Sequence, residues 1–356
     1  MTGDVFSRAL RSLPSLPLSV CECERIFVIA HLHLRVRVAN PRLADVSLRA
    51  LAHHAVTEPP SSPPDLTIFI LDRRAPGNPL LDLPPTAFPS GPESSDRVER
   101  WSYDDAEGRG LLHGGFRALF LWNRVHRRAA LWLGEEDDLP YHLVTSPLLP
   151  IFSWFLAAHG LAVVHAGAVA TTSGAVLLAG RSGTGKSTAA LACLSDGLGY
   201  VGDDMCIIEP GERPVVHSLF CSGKIDAPDT ARFPTLSPAL VRGSGDGWEK
   251  AVYLFDRHLS HGVVRHAPVV GVAIPRRGAA EIGDRLSPRQ GFLAMAPNTV
   301  FQLPGAAQAA CAGVKEIVSR VPVHPVGIGA SIEEIPARVR DYARFLSAGG
   351  AVGAWA

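Results

Sequence analysis

The chain has 356 residues, 34 basic and 34 acidic, so its formal net charge is zero; apolar residues make up 47% and charged residues 19%. The apolar fraction excludes a disordered chain, and the charge balance excludes bulk electrostatic attraction to nucleic acid or a lipid surface. The length suits one large domain or two ordinary ones.

Residues 1–20 carry Asp4, Arg8 and Arg11, then two prolines within Leu13–Leu18. This reads as a poorly ordered start without the apolar run of a signal peptide. From Arg25 the pattern is strand-like: Leu32, Leu34, Val36 and Val38 alternate with His33, Arg35 and Arg37, the period of a half-buried strand. Leu43–Ala55 predicts a short helix and Asp65–Leu71 a short apolar strand. Ten of the 29 prolines lie between Pro59 and Pro92. They predict two loops, Pro59–Pro64 and Arg73–Ser95, because proline at that density prevents helix and central strand. Leu111–Phe120 and Arg124–Leu133 read as strands. Residues 1–140 are therefore expected to form a smaller β-rich module, in which His53-His54 and Asp104-Asp105 read as ordinary surface residues.

The second domain is expected over 141–346, followed by a flexible Gly/Ala-rich tail at 347–356. No Asp, Glu, Lys or Arg occurs from Leu139 to Gly180, but Pro147, Pro150, His159-Gly160, His165 and Ser173-Gly174 interrupt that stretch. It reads as a buried spine rather than a membrane helix, which needs about 18 uninterrupted apolar residues. Leu148–His159 predicts an apolar helix. Leu161–Ala170 and Gly174–Leu178 predict paired core strands, split by the turn signal Thr171-Thr172-Ser173. A helix is expected from Lys186 to about Ser195, ended by Gly197-Leu198-Gly199. Further helices are expected over Ala306–Ser319 and Ile332–Leu346. The six cysteines form no CxxC pair and no zinc-like cluster, so free thiols in a reducing compartment are expected.

Three elements carry chemistry. Gly180-Arg181-Ser182-Gly183-Thr184-Gly185-Lys186-Ser187 fits G-x-x-x-x-G-K-[ST] at every fixed position, with an apolar strand running in and a helix running out. Its glycines let backbone N–H groups curl around phosphate oxygens, and the helix N-terminus adds partial positive charge. Lys186 would neutralise the β- and γ-phosphates and the Ser187 hydroxyl would ligate Mg²⁺ of ATP, with Thr188 next on the helix. Lys186 is one of only four lysines, against thirty arginines. The second element, Asp203-Asp204, begins 17 residues after Lys186. One carboxylate can accept a hydroxyl proton while the other holds the metal, provided the strand ends or bends there, as Gly202 allows. The third, His165, interrupts an apolar run; on its own a buried structural histidine is the commoner reading. Lys224 and Lys250 are secondary candidates for contacting the γ-phosphate. Arg276-Arg277 reads as a solvated turn, with contact to an acidic or phosphorylated partner as the alternative.

Together these elements resemble HPr kinase/phosphorylase, of the phosphoenolpyruvate-carboxykinase-like P-loop group. The resemblance is specific over residues 161–208, where "GRSGTGKST" is followed by "YVGDDM". It implies an α/β catalytic domain with a mixed sheet. By position it makes Asp203 the base that deprotonates an acceptor serine, Asp204 its neighbour at the metal, and His165 the histidine close to the transferred phosphate. Residues 217–234, "EKAVYLF" and "APNTVFQLPG" look like a bacterial subgroup with a β-rich module before the kinase domain, some members of which phosphorylate lasso-peptide precursors. The resemblance thus implies a cytoplasmic Mg·ATP-dependent kinase acting on a protein or peptide serine, and makes a homo-oligomer an expectation. The family's long Gly-rich C-terminal signature, tied to the reverse reaction, has no counterpart. A small-molecule hydroxyl kinase and a nucleotide-sensing module without transfer chemistry remain alternatives; neither nucleic acid nor a membrane is expected as a partner.

Overall fold

The first residues form a helix, α1 (Thr2–Ser12), where a poorly ordered segment was expected. Val5, Phe6, Ala9, Leu10 and Leu13 fall on one helical face and are buried against Phe69, Leu112, Leu121 and Trp132. The sheet accommodates that face through Gly110: a Cβ there would lie 2.3 Å from the Phe6 ring. Eleven residues are too few for a stable isolated helix, so tertiary burial supplies what local propensity lacks.

The computed structural model describes residues 2–58, 60–73, 100–114, 117–134, 139–242, 250–278 and 281–350. The expected Arg73–Ser95 loop beyond residue 73, and the tail beyond residue 350, lie outside the described residues. The chain divides into two compact units, Met1–Arg49 with His54–Phe155, and Ala50–His53 with Leu156–Ala356.

In the first unit the Arg25–Asn40 alternation is a hairpin rather than one strand. β1 (Cys23–Ile29) and β2 (Leu32–Val38) pair antiparallel about Ala30 and His31, both at positive φ. α2 (Pro41–Leu48) follows, capped by the Asn40 side chain on the Leu43 N–H. Then come β3 (Leu66–Leu71), β4 (Arg100–Asp104), β5 (Gly108–His113), β6 (Ala118–Asn123) and β7 (Arg128–Leu133). Leu111–Phe120 therefore spans a turn, and β4 has no counterpart in the expected elements. The seven strands run β1-β2-β3-β7-β6-β5-β4, parallel only at β2/β3 and β3/β7. α3 (Tyr141–Thr145) and α4 (Leu149–Ala158) close this part of the chain.

One buried group here gives the unit a pH signature. Burial first, then Arg100 and His142, push His113 down from 6.5 to about 3. A histidine held neutral in the fold takes up its proton only on unfolding. Its contribution is therefore complete above pH 6.5 and is lost as pH falls from there towards 3. Chemical unfolding should show a slope of up to about 1.4 kcal/mol per pH unit across this window, from this group alone. His113→Gln should flatten the profile; equal slopes for both proteins would refute the assignment.

The second unit is built on an eight-stranded mixed sheet. β8 (Ala162–His165), β9 (Gly167–Thr171) and β10 (Gly174–Leu178) show that the apolar run Leu161–Ala170 breaks at Ala166. β9 pairs with β10 as expected, whereas β8 turns away to the opposite edge. After α5 (Lys186–Ser195) come β11 (Gly199–Gly202), β12 (Met205–Glu209), β13 (Val215–Ser218), β14 (Ser222–Asp226), β15 (Leu240–Arg242), β16 (Lys250–Leu254) and β17 (His266–Arg276). α6 (Pro288–Val300), α7 (Ala307–Arg320), β18 (Val323–Gly327) and α8 (Ile335–Phe345) complete the unit; α6 is an unexpected helix. The sheet order is β11-β9-β10-β17-β13-β12-β8, with β18 also on β17, and β14-β16-β15 form a small separate sheet. Val176 and Leu178 face a cluster with α5 and α8, while Ala175 and Leu177 face one with α6 and α7. Both faces are covered, which is why β10 reads as an unbroken apolar run.

The uncharged stretch is thus helix and strands, and no described helix is long and apolar enough to cross a membrane. All six cysteines are unbridged. His53 and His54 are not surface residues as expected: His54 is buried, and His53 Nε2 lies 2.9 Å from Ser218 Oγ.

Candidate functional site

The central strand β10 delivers the chain into the glycine loop, and α5 leads out of it. Gly180, Gly183 and Gly185 all take positive φ, at 132°, 80° and 95°. Gly185 is the N-cap of α5 in a left-handed conformation, so the first N–H groups of the helix open into the loop. Arg181 and Ser182 are exposed, and Thr184 Oγ1 donates to the Arg181 carbonyl at 2.9 Å. Lys186 is buried; its Nζ donates to the carbonyls of Gly180 (2.9 Å) and Arg181 (3.1 Å). Burial lowers its pKa. Ser187 and Thr188 are half-buried on the first turn of α5.

The route from α5 back into the sheet places the two aspartates. β11 ends at Gly202, the chain bends at Asp203-Asp204, and β12 begins at Met205. That bend removes the alternation that would send the two carboxylates to opposite faces. The carbonyl of Asp203 accepts from Ser187 Oγ at 3.5 Å, so the bend lies beside the first turn of α5. Met205 is the strand partner of His165, and this register brings the end of β8 to the same point. Four of the sequence candidates converge here. Asp204 Oδ1 is 3.2 Å from His165 Nε2, and Asp204 Oδ2 accepts from Lys224 Nζ at 2.8 Å. Asp203 Oδ2 accepts from the Lys224 N–H at 3.3 Å.

The two carboxylates differ in environment. Burial first, then the adjacent Asp204, push Asp203 up to about 6. Burial acts to raise Asp204 as well, but Lys224 and His165 outweigh it and hold this carboxyl well below the ordinary carboxylate range. Like charges side by side separate in this way when a cation pairs directly with one of them and lies farther from the other. The result is one firmly ionised carboxylate and one that exchanges a proton near neutrality, the division of labour that acid–base chemistry uses.

Several residues of the site were not among the sequence candidates. The Tyr200 hydroxyl lies 3.1 Å from Asp203 Oδ1 and donates to the Ser222 carbonyl, tying β11 to β14. Asn298 and Thr299 arrive on the last turn of α6. Asn298 Nδ2 donates to the Gly180 carbonyl at 2.7 Å, its carbonyl lies 3.3 Å from His165 Nδ1, and Thr299 Oγ1 accepts from the His165 N–H at 3.1 Å. Arg277 is exposed, yet its Nε would lie 3.8 Å from a Cβ placed on Gly185, so this turn adjoins the loop. Lys250 is instead ion-paired with Asp226, its neighbour across β14/β16. Tyr200 sits three residues before Asp203 and could have been noticed as a buried hydroxyl; Asn298 and Thr299 lie within the "APNTVFQLPG" segment of the resemblance, which gave them no role.

Tyr200→Phe tests the support of Asp203. The edge contact with Phe255, at 5.1 Å between ring centroids, survives the change. The Ser222 carbonyl and Asp203 Oδ1 both lose their bond to this buried hydroxyl, so unfolding free energy should fall by about 1–3 kcal/mol. Unchanged chemical unfolding would show that this hydroxyl contributes nothing to holding β14.

No family model matches the chain, and no curated protein matches it. Among solved structures it is similar to the Hpr(Ser) kinase/phosphatase from Coxiella burnetii, at 12% identity over 52% of this chain and 98% of that chain, with a TM-score of 0.30. At that TM-score the likeness carries no argument, and the functional reading rests on the geometry of the site and on the motifs of residues 161–208.

Proposed function

We propose that the chain is a Mg·ATP-dependent kinase that transfers the γ-phosphate to a hydroxyl, with a serine of a protein or peptide as acceptor. One observation carries the reading: a bend between two strands sets a proton-exchanging carboxylate and a firmly ionised one beside the glycine loop that presents Lys186 and Ser187. The serine acceptor comes from the family resemblance of residues 161–208, and a cytoplasmic setting from the same source.

The available donors suit Mg²⁺. The Ser187 hydroxyl and the Asp204 carboxylate are hard oxygen ligands, and each Asp204 oxygen keeps a lone pair beyond its bond to His165 or Lys224. When bound, the ion would neutralise charge on the β- and γ-phosphates. The loop amides would hold the same phosphates, and Lys186 would exchange its two carbonyl partners for phosphate oxygens. Asp203 takes the proton from the acceptor hydroxyl as its oxygen attacks phosphorus in line; the bond to the β-γ bridging oxygen breaks and ADP leaves. His165 and Lys224 hold Asp204 in place, and the Lys224 ammonium would supply positive charge near the oxygens of the transferred group.

The deciding experiment incubates the full chain with γ-labelled ATP and Mg²⁺ against separate peptide and metabolite pools. Label on peptide serine is the expected result. Label only in the metabolite pool would replace the acceptor assignment, and ATP binding without product in either pool would reduce the protein to a nucleotide-binding module.

A further inference from the structure

The Gly180 carbonyl has two donors, Lys186 Nζ at 2.9 Å and Asn298 Nδ2 at 2.7 Å. Gly180 is buried at the point where β10 enters the loop. A buried carbonyl that loses its last partner is costly, so a single donor there would be held in place. Lys186 is also the group that the kinase reading sends to the nucleotide phosphates. With Lys186 as sole donor, its departure would orphan the carbonyl at the moment of binding.

We propose that Asn298 is a positioning residue that keeps the Gly180 carbonyl satisfied and so releases Lys186 for the nucleotide; the inference rests on the kinase reading. The last turn of α6 is built for this. Pro297 precedes Asn298 within the helix, and the Asn298 carbonyl belongs to the final turn, where carbonyls have no intrahelical donor. It lies against His165 Nδ1 instead, and Thr299 Oγ1 accepts from the His165 N–H while donating to Met295. Main chain and hydroxyl thus anchor the turn to the end of β8, leaving the Asn298 amide aimed at the loop. One helix end sets the spacing between the loop carbonyl and the histidine that holds Asp204.

A double-mutant cycle on the full chain separates this role from simple packing. Calorimetric titration with Mg·ATP, carried into the millimolar range, is applied to wild type, Asn298→Leu, Lys186→Met and the double variant. Asn298→Leu is expected to weaken binding about tenfold when Lys186 is present. In the Lys186→Met background the same change should cost less than about twofold, because no ammonium remains to be released. Asn298→Ala should repeat the pattern, and thermal unfolding identifies any variant that does not fold. Equal losses in both backgrounds, or no loss with Lys186 present, would overturn the inference. Wild-type protein that binds no Mg·ATP would instead sink the kinase reading.

Discussion

Asp203→Asn is expected to reduce phosphoryl transfer by about 10²–10⁴-fold, the range typical for loss of a general base. Mg·ATP affinity should stay within about twofold, since the change removes an interaction needed in the transition state rather than in the bound complex. The variant should fold. Asn keeps the shape of the side chain: its oxygen can still accept from the Lys224 N–H, and its NH2, in the place of the other oxygen, can donate to the Tyr200 hydroxyl oxygen. It also removes a carboxylate whose charge is penalised by burial, as its elevation to about 6 shows. Loss of turnover therefore reports on the proton, provided thermal unfolding is unchanged or shifted upward. Single-turnover transfer from labelled ATP is the measurement, and wild-type rates in the Asn variant would remove Asp203 as the base.

The second large effect is expected at the other end of the site. Lys186→Met should weaken Mg·ATP binding by about 10²-fold, because a charged donor to phosphate is among the strongest hydrogen-bonding groups and no other lysine occupies the loop. Its stability cost should be small. The ammonium is buried and disfavoured there, and Met retains most of the apolar stem. The Gly180 carbonyl keeps Asn298 as a donor. Calorimetry against Mg·ATP distinguishes the outcomes, and unaltered affinity would mean that the glycine loop does not bind phosphate. The two substitutions should also separate cleanly: Asp203→Asn acts on the rate and Lys186→Met on binding. A protein in which both changed only stability would be using the site structurally.

Much of the site is readable from local pattern. The glycine loop combines a contiguous motif with an apolar strand before it and a helix after it, and α5 matches the expected span. Asp203-Asp204 follow closely enough that one helix and one short strand return them to the loop. The pattern is less informative where partners are distant. β8 and β9 form one apolar run in sequence, and only pairing with β12 and β10 respectively separates them at Ala166. α1 looks like an irregular segment because its apolar face is short, and it gains its helix from the sheet surface it covers. The partners of the lysines are equally non-local: Lys224 pairs with Asp204 and Lys250 with Asp226, each from another strand.

Zero net charge by itself says little, but the placement of the sparse charges already points to the candidate site: the longest uncharged stretch ends at Gly180, followed by Lys186 and then two aspartates. Those features depend on residue type and short spacing, which a single chain displays directly. The tertiary structure alone decided how the two aspartates differ. His165, Lys224 and Tyr200 reach them from three strands, and Asn298 secures the loop from 118 residues away in the chain. Burial and charge at a point are set by everything that packs there, and no local spacing encodes that sum.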